Sequence, residues 1–282
     1  MELLAKAIPV VTLTFVVSSM FGLGLTLTLE QIIAPLRNVR LVSLALLANF
    51  VLMPFGAFGI EKLLRLDESL AIGLLLLGTA AGAPFLPKLA HIAKGNLAFA
   101  VGLMVLLMVV TIGYMPLVLP LLLEGVSVDP LKIVRSLVVL MLLPLALGLA
   151  MKARFAVAAA RLKPVLDVVS NLSLILLTVL IWVVNFDKIL GLFGTRAILG
   201  GILFIFLGLG IGHLLGGPGL DTRRVLALGT AQRNIAAALL VGEQNFSDPN
   251  VVVMLIIVAA VGLLILLPLV RVLAKRSNLQ EA

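Results

Sequence analysis

The sequence predicts an all-α polytopic membrane protein with nine transmembrane helices. Of 282 residues, 62% are apolar and only 12% are charged, whereas soluble domains run at about 45–50% and about 25%. Mean hydropathy is +1.27. Nine apolar stretches fall near residues 6–29, 41–63, 70–93, 97–123, 132–151, 163–185, 196–217, 222–243 and 250–273, and a spanning helix needs about 20 apolar residues. The gaps are short, so no soluble domain fits between them. Cysteine is absent and there are two histidines, which excludes disulfides, thiolate metal sites and a histidine cluster. The net charge of +8 needs no nucleic acid, because basic loops on one side of a bilayer produce the same excess.

The elements follow in order. The first stretch is too long for a signal-peptide core and lacks a small-x-small cleavage pattern, so it reads as a true span. The second holds Asn49 ahead of Met53-Pro54, a mid-membrane amide suited to bridging helices. The third reads Gly78-Thr79-Ala80-Ala81-Gly82-Ala83-Pro84-Phe85-Leu86-Pro87-Lys88. Proline lacks the amide hydrogen and clashes with the preceding turn, so this helix should be broken. Broken backbone is tolerated in a bilayer only inside protein or beside a watery cavity. A half-helix starting near Pro84 would aim its positive dipole end there; the plainer reading is a kink without a ligand. His91 and His213 lie near the inner ends of their spans, where interfacial roles suffice.

The eighth stretch places Thr230-Ala231-Gln232-Arg233-Asn234 at the matching depth. Three consecutive polar residues cannot all face one side of a helix, which points to unwound or enclosed backbone. Arg233 is the one charge in the middle of that span, and such a charge costs at least ~2.5 kcal/mol on insertion scales. It either serves a ligand or bonds carbonyls freed by the break in the third span. Lys88 can snorkel to the inner surface. All 13 acidic residues sit in loops, tails or span ends. A carrier built on a mid-membrane carboxylate, an intramembrane aspartyl protease and a metal-dependent lipid transferase are therefore not supported, and no enzyme is expected.

Leu77-Gly78-Thr79-Ala80 recurs as Leu228-Gly229-Thr230-Ala231. Each copy follows a Leu-Asp pair (Leu66-Asp67, Leu220-Asp221) and precedes a loop asparagine (Asn96, Asn250). The third and eighth spans run in opposite directions, so the repeat is inverted, as in many secondary transporters.

These residues resemble the bile acid:sodium symporter family over nearly the whole chain. Met20-Phe21-Gly22-Leu23-Gly24-Leu25-Thr26-Leu27 is similar to its early glycine-rich motif, and Asn49-Phe50-Val51-Leu52-Met53-Pro54 to the segment with an amide sodium ligand. Lys94-Gly95-Asn96 resembles the loop after the first crossing helix, and Gly229 to Leu239 the second crossing helix. The resemblance implies panel and core domains that rock to give alternating access, with two broken helices crossing in the core. It implies a first repeat over 1–123 (spans 1–4, lacking one span) and an inverted second over 124–282 (spans 5–9).

The departures are specific. Where sodium-coupled members carry Thr-x-Ser-Asn, this chain has Pro84-Phe85-Leu86-Pro87. Ala227 and Ala231 stand at the glutamate and glutamine ligands, and Ala100, Met104 and Leu107 at the hydroxyls of span 4. Of the ion ligands, only the amide of Asn49 is retained in kind, and Lys88 and Arg233 flank the emptied regions. A fixed cation ~4 Å from Na⁺ opposes it by about 4 kcal/mol at an effective dielectric of ~20, which argues against sodium coupling. The resemblance implies a secondary carrier of a small organic anion in a plasma or bacterial inner membrane. Substrate would meet Thr79, Pro84, Lys88, Thr230, Gln232, Arg233 and Asn234, with Asn49 left for an ion. No cofactor, nucleic acid or protein partner is expected. The rivals are a sodium symporter with a rearranged ion site and a non-transporting, channel-like or receptor scaffold.

Setting aside Arg233, the loops on the N-terminal side carry 7 of the lysines and arginines and the other side 13. Positive residues stay in the cytoplasm, so the N-terminus is expected outside and the C-terminus inside. A tag placed after Ala282 should be shielded in intact cells and reached only after permeabilisation; surface labelling of intact cells would contradict this topology.

Overall fold

The computed structural model describes residues 2–123, 129–184 and 196–281. Among these residues every regular element is helical. The expected repeat boundary at 123/124 meets the edge of the described residues, and Lys188 and the expected end of span 6 at 185 lie outside them.

Helix α1 (Glu2–Gly24) leads to a short α2 (Leu29–Ile33) started by a reciprocal capping box between Thr28 and Gln31. The first span thus ends near Gly24 rather than at 29. Next come α3 (Val39–Leu47), a π-helical turn over Ala48–Leu52 and α4 (Met53–Leu64). Pro54 explains the turn, since it cannot donate to Phe50 four residues earlier. Helix α5 (Glu68–Thr79), α6 (Leu86–Ile92) and α7 (Leu97–Leu122) follow. A second π turn, Val138–Leu142, joins α8 (Pro130–Leu137) to α9 (Leu143–Arg154), again just before a proline, Pro144. Helix α10 (Ala156–Val184) begins earlier than expected, at a basic first section in which Lys163 pairs with Asp167 one turn on. The remaining helices are α11 (Ala197–Leu215), α12 (Leu220–Ala231), α13 (Ile235–Asn245) and α14 (Pro249–Glu281).

Among the described residues, seven stretches are long and apolar enough to cross a membrane, counting the interrupted Leu220–Asn245 as one. The protein is therefore an integral, polytopic helical membrane protein. The other two expected spans correspond to the α5–α6 segment, whose first half has only 12 residues, and to α10.

Both expected breaks are present. Residues 80–85 are non-helical between α5 and α6, and 232–234 between α12 and α13. Three contacts set their relative direction. At one end Ser69 donates to Asp248 at 2.5 Å; at the centre the Asn234 amide donates to the Ala80 carbonyl at 2.9 Å; at the other end Asn96 donates to Asp221 at 3.1 Å. The start of α5 thus lies beside the end of α13, and the end of α6 beside the start of α12. The two broken segments run antiparallel through a shared centre, as an inverted pair must.

Small residues bring backbones together around this centre. Gly208 and Gly212 on α11, with Gly216 just past its end, form a ridge against α12; a Cβ at Gly212 would stand 2.3 Å from the Leu226 carbonyl oxygen. In a second group, α1 packs on α9 and α10. Gly24 and Gly148 meet there, and a Cβ on Gly148 would lie 2.4 Å from the Phe21 carbonyl oxygen.

Gly82 has φ +82, and a Cβ there would lie 2.3 Å from the Met108 amide nitrogen on α7. Gly82→Ala should destabilise the protein by at least about 1–3 kcal/mol through overpacking and strain, read as a lower unfolding temperature in detergent. Gly113→Ala, where no atom lies within 4 Å of the added methyl, should leave that temperature unchanged or raise it.

Candidate functional site

A helix that stops leaves its last carbonyls without amide partners, and its C-terminal end carries partial negative charge. Helices α5 and α12 both stop at the crossing. After Thr79 the chain turns out of the helix, because Gly82 takes a left-handed conformation and Pro84 has no amide hydrogen. The carbonyls of Gly78 and Thr230, and that of Leu77, which keeps only a 3.2 Å bond from the Ala80 amide, therefore face a shared interior. The π turn adds the carbonyl of Asn49, since Met53 donates instead to Ala48 and Pro54 cannot donate at all.

Arg233 occupies this interior and is only 3% exposed. Its Nε donates to the Leu77 carbonyl at 2.8 Å and Nη2 to that of Gly78 at 2.8 Å. Nη1 donates to Asn49 Oδ1 at 2.7 Å and to the Thr230 carbonyl at 3.3 Å; Nη2 also reaches the Asn49 carbonyl at 3.4 Å. A guanidinium has five N–H donors, and these five bonds engage its full donor capacity. The Asn49 amide is oriented by donating to the Ala45 carbonyl at 2.9 Å and to Thr230 Oγ1 at 3.3 Å. Asn49, Thr230 and Arg233, far apart in sequence, thus form one buried cluster.

The other expected site residues divide. Thr79 is buried, and its hydroxyl donates back to the Leu75 and Leu76 carbonyls at 3.1 and 3.0 Å. Pro84 lies half-buried in the non-helical stretch. Asn234 is buried and caps α13, its Oδ1 accepting from the Ala237 amide at 3.1 Å. Among the described residues, two buried polar atoms at the crossing have no partner, Gln232 Oε1 and Asn234 Nδ2. Lys88 is exposed, its ammonium 5.2 Å from the centre of the Phe85 ring, a cation–π contact outside the cluster. The positive helix end expected near Pro84 is not supplied by α6, which has seven residues and whose first amide bonds to the Ala83 carbonyl at 3.0 Å. Capped by Asn234, α13 is the longer half-helix that begins at the crossing.

Sequence reasoning missed two supports on α7. Thr111 is buried and accepts from the Ala81 amide at 3.0 Å while donating to the Ala81 carbonyl at 3.1 Å. It thereby satisfies both backbone groups of a residue inside the break. The Tyr114 hydroxyl donates to the Phe50 carbonyl, another acceptor freed by Pro54, and its ring tilts against Phe50. The available signal was a hydroxyl and a phenol three residues apart on one helix face. Also missed was Glu243, in the last turn of α13, which accepts from buried Thr12 of α1 at 2.7 Å. Beside it, Lys132 donates to the Gln244 carbonyl and Ser136 to the Gln244 side chain. A surface groove is lined by apolar Phe55, Phe58 and Leu121 together with charged Glu61, Lys62 and Glu68.

Comparison with known proteins places this geometry. Residues 13–192 match the Sodium Bile acid symporter family. The chain belongs to this family. It is 26% identical over 235 residues to a probable chloroplast sodium/metabolite cotransporter of Arabidopsis thaliana, covering 82% of this chain and 58% of that protein. An uncharacterized sodium-dependent transporter of Bacillus subtilis is 30% identical over 207 residues, 70% of this chain and 60% of that protein. The hepatic sodium/bile acid cotransporter of Rattus norvegicus is 27% identical over 156 residues, 53% and 43% of the two chains. The chain therefore spans about half the length of these curated relatives. These relatives are named as transport proteins.

Of the positions at which the family resemblance implies ion ligands, five carry apolar side chains. Ala100, Met104, Leu107 and Ala231 are fully buried, and Ala227 nearly so. The oxygen retained at Asn49 is bonded to Arg233.

Thr111→Val should orphan both backbone groups of Ala81, each costing about 1–3 kcal/mol when left buried and unpaired. Thr111→Ser keeps the hydroxyl and should retain most of the stability. Equal unfolding temperatures for the two variants would contradict this role of Thr111.

Proposed function

We propose that this member of the sodium bile acid symporter family is a secondary carrier for a small organic anion, working by alternating access. One observation carries the reading. Two antiparallel broken helices cross, and there Gln232 Oε1 and Asn234 Nδ2 are buried without partners. Buried polar atoms are normally paired, so these two are the groups best suited to receive a ligand. Asn234 Nδ2 would donate to a carboxylate or sulfonate, and Gln232 Oε1 would accept from a hydroxyl or amide of the same molecule. Arg233 would act on the anion through its field, since its N–H groups are already engaged. Thr79, Pro84 and Thr230 would form the wall, and Lys88 would attract anions at the solvent end.

The proposed repeats are 1–123 and 124–282. The panel, α1 with α8 to α10, would rock against a core built from α3 to α7 and α11 to α14. Thr12–Glu243, Lys132–Gln244 and Ser136–Gln244 join panel and core at one end of α13, and they would part when that end opens. Two relatives are named for metabolites or bile acids, which supports an organic substrate. We place the chain in a plasma or bacterial inner membrane with its C-terminus cytoplasmic. A sodium-coupled carrier with a rearranged ion site is the second reading, favoured by the names of the same relatives.

Thermal stabilisation of the purified chain across a panel of organic anions tests the carrier. At least one anion should raise the unfolding temperature and be taken up by proteoliposomes; uniform indifference to the panel would sink the proposal. For that anion, Gln232→Ala should weaken binding by about 0.5–1.5 kcal/mol, roughly two- to tenfold. Exposed Lys88→Gln should cost no more than about 1 kcal/mol, roughly fivefold. A larger effect at Lys88 than at Gln232 would move the site away from the crossing.

A further inference from the structure

Five oxygens converge on the centre of the crossing: the carbonyls of Leu77, Gly78, Thr230 and Asn49, and Asn49 Oδ1. Three elements supply them, α5, α12 and the π turn. Unwound carbonyls and half-helix C-terminal ends are what secondary transporters use to coordinate a coupling cation. Such a cage suits a single positive charge, and all five of these oxygens are neutral. The group inside it is the guanidinium of Arg233, almost wholly shielded from solvent. The cage is also actively formed. Asn49 turns its oxygen inward because its amide nitrogen is committed to Ala45 and Thr230, and Pro54 leaves the Asn49 carbonyl without its usual donors.

We propose that Arg233 is a resident cation. Its guanidinium is tethered in a site that a free monovalent cation would otherwise fill, so the protein functions without binding Na⁺ there. Removing the side chain opens that site to a small cation. The consequence follows from covalency. A bound Na⁺ arrives from one side of the membrane, leaves on the other and so couples transport to its gradient; a guanidinium on the backbone does neither. Resting on the carrier reading, this removes coupling to a cation gradient through that site. An arginine that merely plugs two helix ends would leave a defect that guanidinium refills but Na⁺ and K⁺ do not.

The test uses the full chain in detergent and reads unfolding temperature, which requires no substrate. NaCl, KCl and millimolar guanidinium chloride are compared with choline chloride at equal ionic strength. The unmodified protein should unfold at the same temperature in Na⁺ and in choline. Arg233→Ala should unfold at a lower temperature and recover with guanidinium, saturably, and also with Na⁺ or K⁺, but not with the bulky choline. Arg233→Gln refills part of the space with a neutral amide and should show a smaller response in the same salts. A Na⁺-specific rise in the unmodified protein would overturn the proposal. So would failure of both variants to respond to Na⁺ or K⁺, whether they fold or not and whether or not guanidinium restores them. Failure of the anion panel would defeat the carrier reading while leaving these salt responses intact, so the two proposals fail separately.

Discussion

A helix that ends inside a bilayer strands carbonyls where no water can bond them, and here two helices end at one place. The guanidinium of Arg233 makes that arrangement tolerable. It bonds the ends of α5 and α12 and the π turn of the second span at once. A planar donor with five N–H groups suits this task better than an ammonium, which has three. The burial of a charge, costly in isolation, is offset because every donor has an acceptor and both helix ends are electrically negative.

The rest of the centre is arranged around the same constraint. Thr111 satisfies the amide and the carbonyl of Ala81, and the Asn234 amide takes the carbonyl of Ala80. Tyr114 covers the Phe50 carbonyl that Pro54 leaves open. Glycine keeps the neighbours close enough for this closure: Gly82 lets the break lie directly on α7, and the Gly208-Gly212-Gly216 ridge lets α11 lie on α12. Against this dense bonding, the unpartnered atoms of Gln232 and Asn234 stand out.

Much of the fold was legible in the sequence. Pro84, Pro87 and Gly82 marked one break, because proline and a left-handed glycine cannot continue a helix. The run Gln232-Arg233-Asn234 marked the other, because three adjacent polar side chains cannot share one face. The recurring Leu-Gly-Thr-Ala, on spans of opposite direction, anticipated the antiparallel crossing. Boundaries were read less well. Apolar runs do not show that α1 stops near Gly24, or that α10 extends back to Ala156 along a basic surface, since hydropathy records burial in lipid and not helix length.

The site divided along the same line. That a charge lies at mid-membrane in span 8 is a property of the linear chain, and so is the freeing of carbonyls near Pro54 and Pro84, because each follows from local covalent geometry. The choice between a ligand and the protein's own carbonyls as partner to Arg233 depends on where three distant segments meet in space. So do the grip of Thr111 on Ala81 and the link from Thr12 to Glu243. Local chemistry determined which groups would need partners; only the tertiary structure decided which partners they found, because hydrogen bonds form by distance and angle and not by sequence order.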